Sequence, residues 1–359
     1  VAEIVYILGA GCSRECGYPL ASEVATTLRD FARECLTSAD SARIKQAVEQ
    51  TVALMSDSVD TVDELVRRID QGHYDESPGF VMGDALLERQ RVRHERIENA
   101  VIAISALFVH LEGRVAKRGL RRYQEFLNEL FPDSSSHWPP TQHADSRHVI
   151  TFNYDRIFEA AFRERFNFDT QQFGLYGGLG LNSGLDVVYN REVKFSEDRF
   201  SFLKLHGSVG MWAVDDLNDV CHQYALPRIN QPQEIKDEMF YQKNGADDKK
   251  PRRTVFPLLF FPHQRHFVLA QDNAYHFKAY ARAVWTRAEK VISNASQIRV
   301  IGYSFSGIDR KPFLDVLRKA NRCDRIVIQS PNNAEELCAR LGSSNADLRP
   351  ILEAASFAF

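Results

Sequence analysis

The sequence predicts an α/β fold: a parallel sheet with helices on both faces, carrying a large helical insertion. Three observations carry this. Five short runs read as buried strands of β-branched and aromatic residues: Ile4–Leu8, Val149–Phe152, Phe202–Leu205, Ile298–Ile301 and Ile326–Ile328. Each run stops at small or polar residues, the kind needed where ligands sit beyond the carboxyl ends of parallel strands. Between the first two runs, residues 20–131 are almost wholly helical in pattern.

The first strand runs into Gly9-Ala10-Gly11-Cys12-Ser13, where two glycines allow a tight turn and close backbone approach. A helix is expected to start near Pro19, and its free N–H groups and positive dipole end suit a pyrophosphate. A plain turn joining strand to helix remains the alternative for this segment. The dehydrogenase fingerprint fails, because its third glycine would fall at Arg14 and no strand with a terminal acid follows about 20 residues later.

In the helical stretch, Val62, Leu65, Val66 and Ile69 mark one apolar face and Ile97, Val101, Ile104, Leu107 and Phe108 another. A glycine-containing break separates them at Gly72–Gly83, and the mixed-charge Arg89–Arg96 reads as a solvated helix face. Residues 133–140 form a loop back to the sheet. The second strand ends in Asn153-Tyr154-Asp155, a helix follows over Ile157–Phe166, and Gly174–Gly184 reads as a loop near the ligand. The third strand delivers His206-Gly207-Ser208, and residues 215–253 read as solvated surface. A helix over Asn273–Ala295 feeds the fourth strand, which ends in Gly302-Tyr303-Ser304. A helix over Pro312–Ala320 leads to the fifth, which ends in Gln329-Ser330-Pro331-Asn332. The expected sheet domain is therefore discontinuous, built from residues 1–40, 145–210 and 254–359, with a helical insertion at 41–144 and a small polar one at 211–253.

At 359 residues, 44% hydrophobic and 26% charged, the chain has the composition of a soluble globular protein. A formal charge of −3 argues against a generally basic nucleic-acid surface. No apolar run approaches the roughly 20 residues a bilayer needs and the N-terminus shows no secretory signal, so no membrane association and a cytoplasmic location are expected. The six cysteines form no C-x-x-C pair, so no structural zinc is expected. They read as reduced residues, a Cys12–Cys16 disulfide being the less favoured alternative. His263 and His266 have metal-like spacing but no acidic or cysteine partner nearby, so no metal site is expected.

Together, Gly9-Ala10-Gly11-Cys12-Ser13, Thr151-Phe152-Asn153-Tyr154-Asp155, Leu205-His206-Gly207-Ser208 and Ile301-Gly302-Tyr303-Ser304 resemble, in that order, the sirtuin-like family in its bacterial branch of NAD hydrolases. The resemblance implies a Rossmann-like sheet that binds NAD as substrate, with the nicotinamide ribose near Asn153 and His206. It implies that Gly9, Ala10, Gly11, Cys12 and Ser13 surround the phosphates and that Asp155 contacts the nicotinamide amide. Gly207 and Ser208 belong to the same lining, Gly302, Tyr303 and Ser304 to the adenosine side, and Asn332 to the adenine ribose. Asp309 sits where this branch often carries an acid, though a helix cap before Pro312 is the simpler reading. Two departures argue against peptide-lysine deacetylation: no four-cysteine module is visible, and Gly17-Tyr18-Pro19-Leu20-Ala21 replaces the family's Gly-Ile-Pro-Asp-Phe-Arg stretch.

Nicotinamide leaves as a neutral molecule, so the chemistry asks little for an acid; charge develops on the ribose, as in glycoside cleavage. Asn153 can orient a water or a ribose hydroxyl, and histidine is a suitable general base near neutral pH, which assigns the catalytic roles to Asn153 and His206. The plainer alternatives are a turn-forming asparagine and a structural histidine. The expected function is NAD hydrolysis to nicotinamide and ADP-ribose. The resemblance implies an effector that depletes NAD in antiphage defence and abortive infection, as a homo-oligomer or under a separately encoded partner such as a HerA-type ATPase. The alternatives are transfer of ADP-ribose or an acyl group to a protein, or a non-catalytic module sensing NAD or ADP-ribose.

Overall fold

A computed structural model describes residues 3–38, 41–55, 61–75, 82–132, 147–166, 200–214, 241–242, 253–259, 275–305, 310–344 and 351–355. Its centre is a six-stranded sheet whose neighbouring strands all pair in parallel. In chain order its strands are β1 (Ile4–Leu8), β2 (Arg147–Thr151), β3 (Ser201–Lys204), β7 (Gln297–Ile301), β8 (Arg325–Gln329) and β9 (Ile351–Ala355). They lie side by side as β3-β2-β1-β7-β8-β9. The first three step outward one way and the last three the other, which is the doubly wound Rossmann order. The reversal falls between β1 and β7, where Leu8 pairs with Ile301.

The central strands read as near-continuous apolar runs because both faces are covered. Val5, Tyr6, Ile7 and Leu8 are at most 1% exposed. The sixth strand was not anticipated: β9 is an edge strand with Ile351 mostly exposed, so its sequence carries no buried apolar run.

Between β1 and β2 the described residues form five α-helices: α1 (Val24–Ser38), inside the 1–40 segment assigned to the sheet domain, and α2 (Ala42–Leu54), α3 (Val62–Asp70), α4 (Asp84–Glu112) and α5 (Lys117–Leu130), inside the predicted insertion. Both predicted apolar faces are core: Leu65, Val66, Ile104 and Leu107 are fully buried. Ser41 and Thr61 cap α2 and α3 through their hydroxyls. The break expected at Gly72–Gly83 separates α3 from α4.

The helix expected near Pro19 is displaced. The glycine turn passes directly into a short 3-10 helix, Ala10–Cys16, which Gly17 ends in a left-handed conformation. The first α-type turn follows at Leu20, whose carbonyl accepts from Val24 N and whose N–H donates to Glu23. Downstream, α6 (Ile157–Phe166), α7 (Tyr275–Asn294), α8 (Arg310–Leu317) and α9 (Ala334–Ser344) complete the crossovers. A second, three-stranded antiparallel sheet is an addition to the sequence reading. It comprises β4 (Gly207–Val214), β5 (Tyr241–Gln242) and β6 (Arg253–Leu259), in the order β4-β6-β5.

Candidate active site

Four predicted loops meet at the carboxyl ends of adjacent strands. Those after β1 and β7 are in backbone contact: Gly9 N donates to Ile301 O and Gly11 N to Gly302 O, each at 2.9 Å. A Cβ on Gly9 would lie 2.5 Å from Gly302 O, and one on Gly302, whose φ is +62°, would lie 2.6 Å from Cys12 N. The glycines are thus required by loop-on-loop packing at the point of strand reversal. Cys12 N also bonds within the turn, to Gly9 O, and Cys12 Sγ donates to Ile301 O at 3.0 Å. Burial pushes its thiol well above the ordinary range, so it stays protonated.

The β2 loop is tied to the β1 loop through Asn153. Its Nδ2 donates to Gly9 O at 3.0 Å and to Ser13 Oγ at 3.2 Å. Because a carbonyl can only accept, the Gly9 contact fixes which end of the amide carries nitrogen. Both N–H groups are then committed, and Oδ1 has no partner among the described residues. Thr151 supports this arrangement: its hydroxyl donates to Leu8 O and accepts from Asn153 N, both at 3.1 Å. Ser13 is buried, its hydroxyl turned inward to Tyr123 Oη of α5 at 2.8 Å.

His206 lies in the turn between β3 and β4, buried between the aromatic residues that flank Asn153. Its ring is 5.2 Å from Phe152, edge-on, and 5.9 Å from Tyr154. Backbone bonds from Leu205 N to Thr151 O and from Val209 N to Tyr154 O hold the two loops in register. Ser208 is buried under Tyr154 O. Tyr303 stacks on Phe152 at 4.6 Å, which links the β7 loop to the same aromatic group.

Beneath these loops lies a layer of buried charge. Lys204 Nζ bonds to Glu159 Oε1 at 2.9 Å and to Asp155 O, with both side chains at most 1% exposed. Arg156 forks onto Glu112 at the end of α4, with bonds of 2.7 and 2.6 Å. Burial raises the Glu112 carboxyl, and Arg156 partly opposes the shift. Asp155 is also raised by burial, against the pull of Lys204, Ser13 and the α6 backbone. Its Oδ1 accepts from Ile157 N at 3.1 Å, so this carboxyl holds the start of α6.

Of the predicted residues, Gly9, Gly11, Cys12, Ser13, Asn153, Asp155, His206, Gly302 and Tyr303 therefore belong to one connected group, with Ala10 and Ser208 beside it. Gly207 opens β4, Ser304 is exposed beyond Tyr303, and Asn332 is exposed in the turn before α9. Asp309, His263, His266, Cys221, residues 133–140 and the Gly174–Gly184 loop lie outside the described residues. The sequence reading missed Tyr123, Glu112, Arg156, Glu159 and Lys204. The one available signal was acidic Glu112 closing a helix whose preceding turns are apolar. Cys12 and Cys16 are free thiols, as expected. Among the described residues no cluster of three His, Cys, Asp or Glu could hold a metal, and no single helix is long and apolar enough to cross a membrane.

No family model matches the chain, and no curated protein matches it. Among solved structures it is similar to a Sir2 homolog in complex with NAD, at 13% identity and a TM-score of 0.43, over 99% of this chain and 84% of that one. It is similar to a mutant Sir2 homologue in complex with ADP-ribose, at 11% and 0.40, over 92% and 80%. It is also similar to Sir2Tm bound to a propionylated peptide, at 12% and 0.38, over 99% and 89%. Likeness at this level assigns neither ligand nor reaction to this chain.

Proposed function

We propose that the chain is an NAD hydrolase, releasing nicotinamide and ADP-ribose. The observation that carries this reading is the convergence of the Gly9, Asn153 and His206 loops at the carboxyl ends of three adjacent parallel strands, beside the strand reversal. Ligands of doubly wound sheets bind in that crevice. The residues suit NAD in kind. Asn153 Oδ1 is an acceptor for a ribose hydroxyl or a water, and the Ala10–Gly11 and Ser304 positions are accessible on either side of the loop contact.

The reaction breaks the bond from nicotinamide to ribose C1′, and the electron pair returns to the pyridinium nitrogen. The ribose passes through an oxocarbenium-like state. Asn153 Oδ1 orients the water or the adjacent hydroxyl. Water adds to C1′, and its proton passes to His206, a step typically worth about 10²–10⁴-fold. Asp155 acts in this reading by fixing the loop that carries Asn153.

The motif resemblance extends the reading to a cytoplasmic effector of bacterial antiphage defence, controlled by homo-oligomerisation or by a separate partner such as a HerA-type ATPase. Purified protein incubated with NAD, with and without an acylated peptide, tests the chemistry. Equal yields of nicotinamide and ADP-ribose without peptide support hydrolysis. Nicotinamide released only with the peptide would replace it with acyl or ADP-ribosyl transfer, and NAD bound but recovered intact would make the chain a sensor.

A further inference from the structure

We propose that Tyr123, supplied by the helical insertion, is a positioning residue that sets the Asn153 amide with its oxygen toward the crevice. The inference rests on the NAD reading for what that oxygen acts upon, but not for the geometry. Tyr123 is 110 residues from Ser13 and 1% exposed, and its hydroxyl reaches the Ser13 hydroxyl at 2.8 Å. Ser13 Oγ in turn accepts one of the two N–H groups of Asn153, and Gly9 O takes the other.

A serine hydroxyl offers one donor and two acceptor positions. Asn153 occupies one acceptor position. The Tyr123 hydroxyl takes another of the three positions, and either oxygen can be the donor in that bond. Burial keeps that phenol protonated by pushing its pKa well above the ordinary value. The chain of bonds thus runs from α5 through Ser13 to Asn153, and it leaves Oδ1 as the only part of the amide open to a ligand. Gly119 sits in backbone contact with Cys16, which seats α5 against the 3-10 helix and holds Tyr123 in reach. The insertion therefore completes the site as well as covering the sheet.

The test compares the parent with Tyr123→Phe, Ser13→Ala and the double variant. NAD cleavage is read as kcat and KM separately, and the side-chain amide signals of Asn153 are read in protein labelled with ¹⁵N-asparagine. Loss of one neutral hydrogen bond predicts a fall in kcat of about tenfold for Tyr123→Phe, with KM for NAD nearly unchanged. The Asn153 amide signals should shift and exchange faster with solvent. The double variant should lose no more than Ser13→Ala alone, because the two residues act through one link. Losses that multiply, or Asn153 signals unmoved by Tyr123→Phe, would overturn the proposal. If the parent does not turn over NAD, the hydrolase reading fails and the amide signals alone decide the role of Tyr123. If Tyr123→Phe does not fold, the Ser13→Ala signals decide it by the same criterion.

Discussion

Replacing Arg156 by methionine strands the Glu112 carboxylate in the core. The pair it breaks is a two-bond fork in which both side chains are 2% exposed. Removing one partner of such a pair costs about 3–5 kcal/mol, because the remaining charge has neither water nor a counter-ion. At roughly 2–4 °C per kcal/mol, the melting temperature should fall on the order of 10 °C. The loss depends on pH. Burial already lifts the Glu112 pKa, with Arg156 opposing the shift, so the variant's carboxyl is raised further. A carboxyl raised in the folded state is tolerated below its unfolded value, about 4.3, and destabilises as pH climbs through the folded value. The defect relative to the parent should therefore shrink on acidification and grow toward alkaline pH. Thermal unfolding followed by circular dichroism across that range reads both effects. A second variant, Arg156→Met with Glu112→Leu, should recover most of the loss. A drop of under about 2 °C, or a defect that deepens on acidification, would refute the reasoning.

Three further outcomes follow from the same geometry. Burial, then Arg287, depresses His148 to about 4, and its Nδ1 accepts from Ser201 N, so the folded state needs it neutral. Its contribution, about 3 kcal/mol, is present above about pH 6.5 and lost as pH falls toward 4; His148→Asn should flatten that part of the stability profile. Gly119→Ala should destabilise despite alanine's higher helix propensity, because its Cβ would meet Cys16 N at 2.5 Å; a raised melting temperature would contradict the seating of α5. Thr61→Ala removes the hydroxyl that caps Glu64 N and should cost about 1 kcal/mol in denaturant unfolding, with no change in NAD turnover.

The sheet was legible where burial forces apolar runs. Five of its six strands, and α6 to the residue, follow from such runs. The edge strand β9 was not, because exposed Ile351 and Glu353 give it no apolar signature. The glycines of the first loop were found, but the reason for them was only half seen: their neighbour is the backbone of Gly302, 291 to 293 residues away. Asn153 and His206 announced themselves by lying at strand ends. Their supports did not, since Tyr123, Glu112 and Lys204 become neighbours only through tertiary packing, and a lone tyrosine on a helix face reads as core. The second sheet escaped notice because β6 follows a polar stretch and pairs backward with β4.

The most direct measurement of the central claim is the yield of nicotinamide and ADP-ribose from NAD by the parent protein beside Asn153→Ala and His206→Ala. The account predicts equimolar products from the parent, and a loss of about 10²-fold or more in each variant while both stay folded. Full activity in either variant, or NAD recovered intact from the parent, would contradict it.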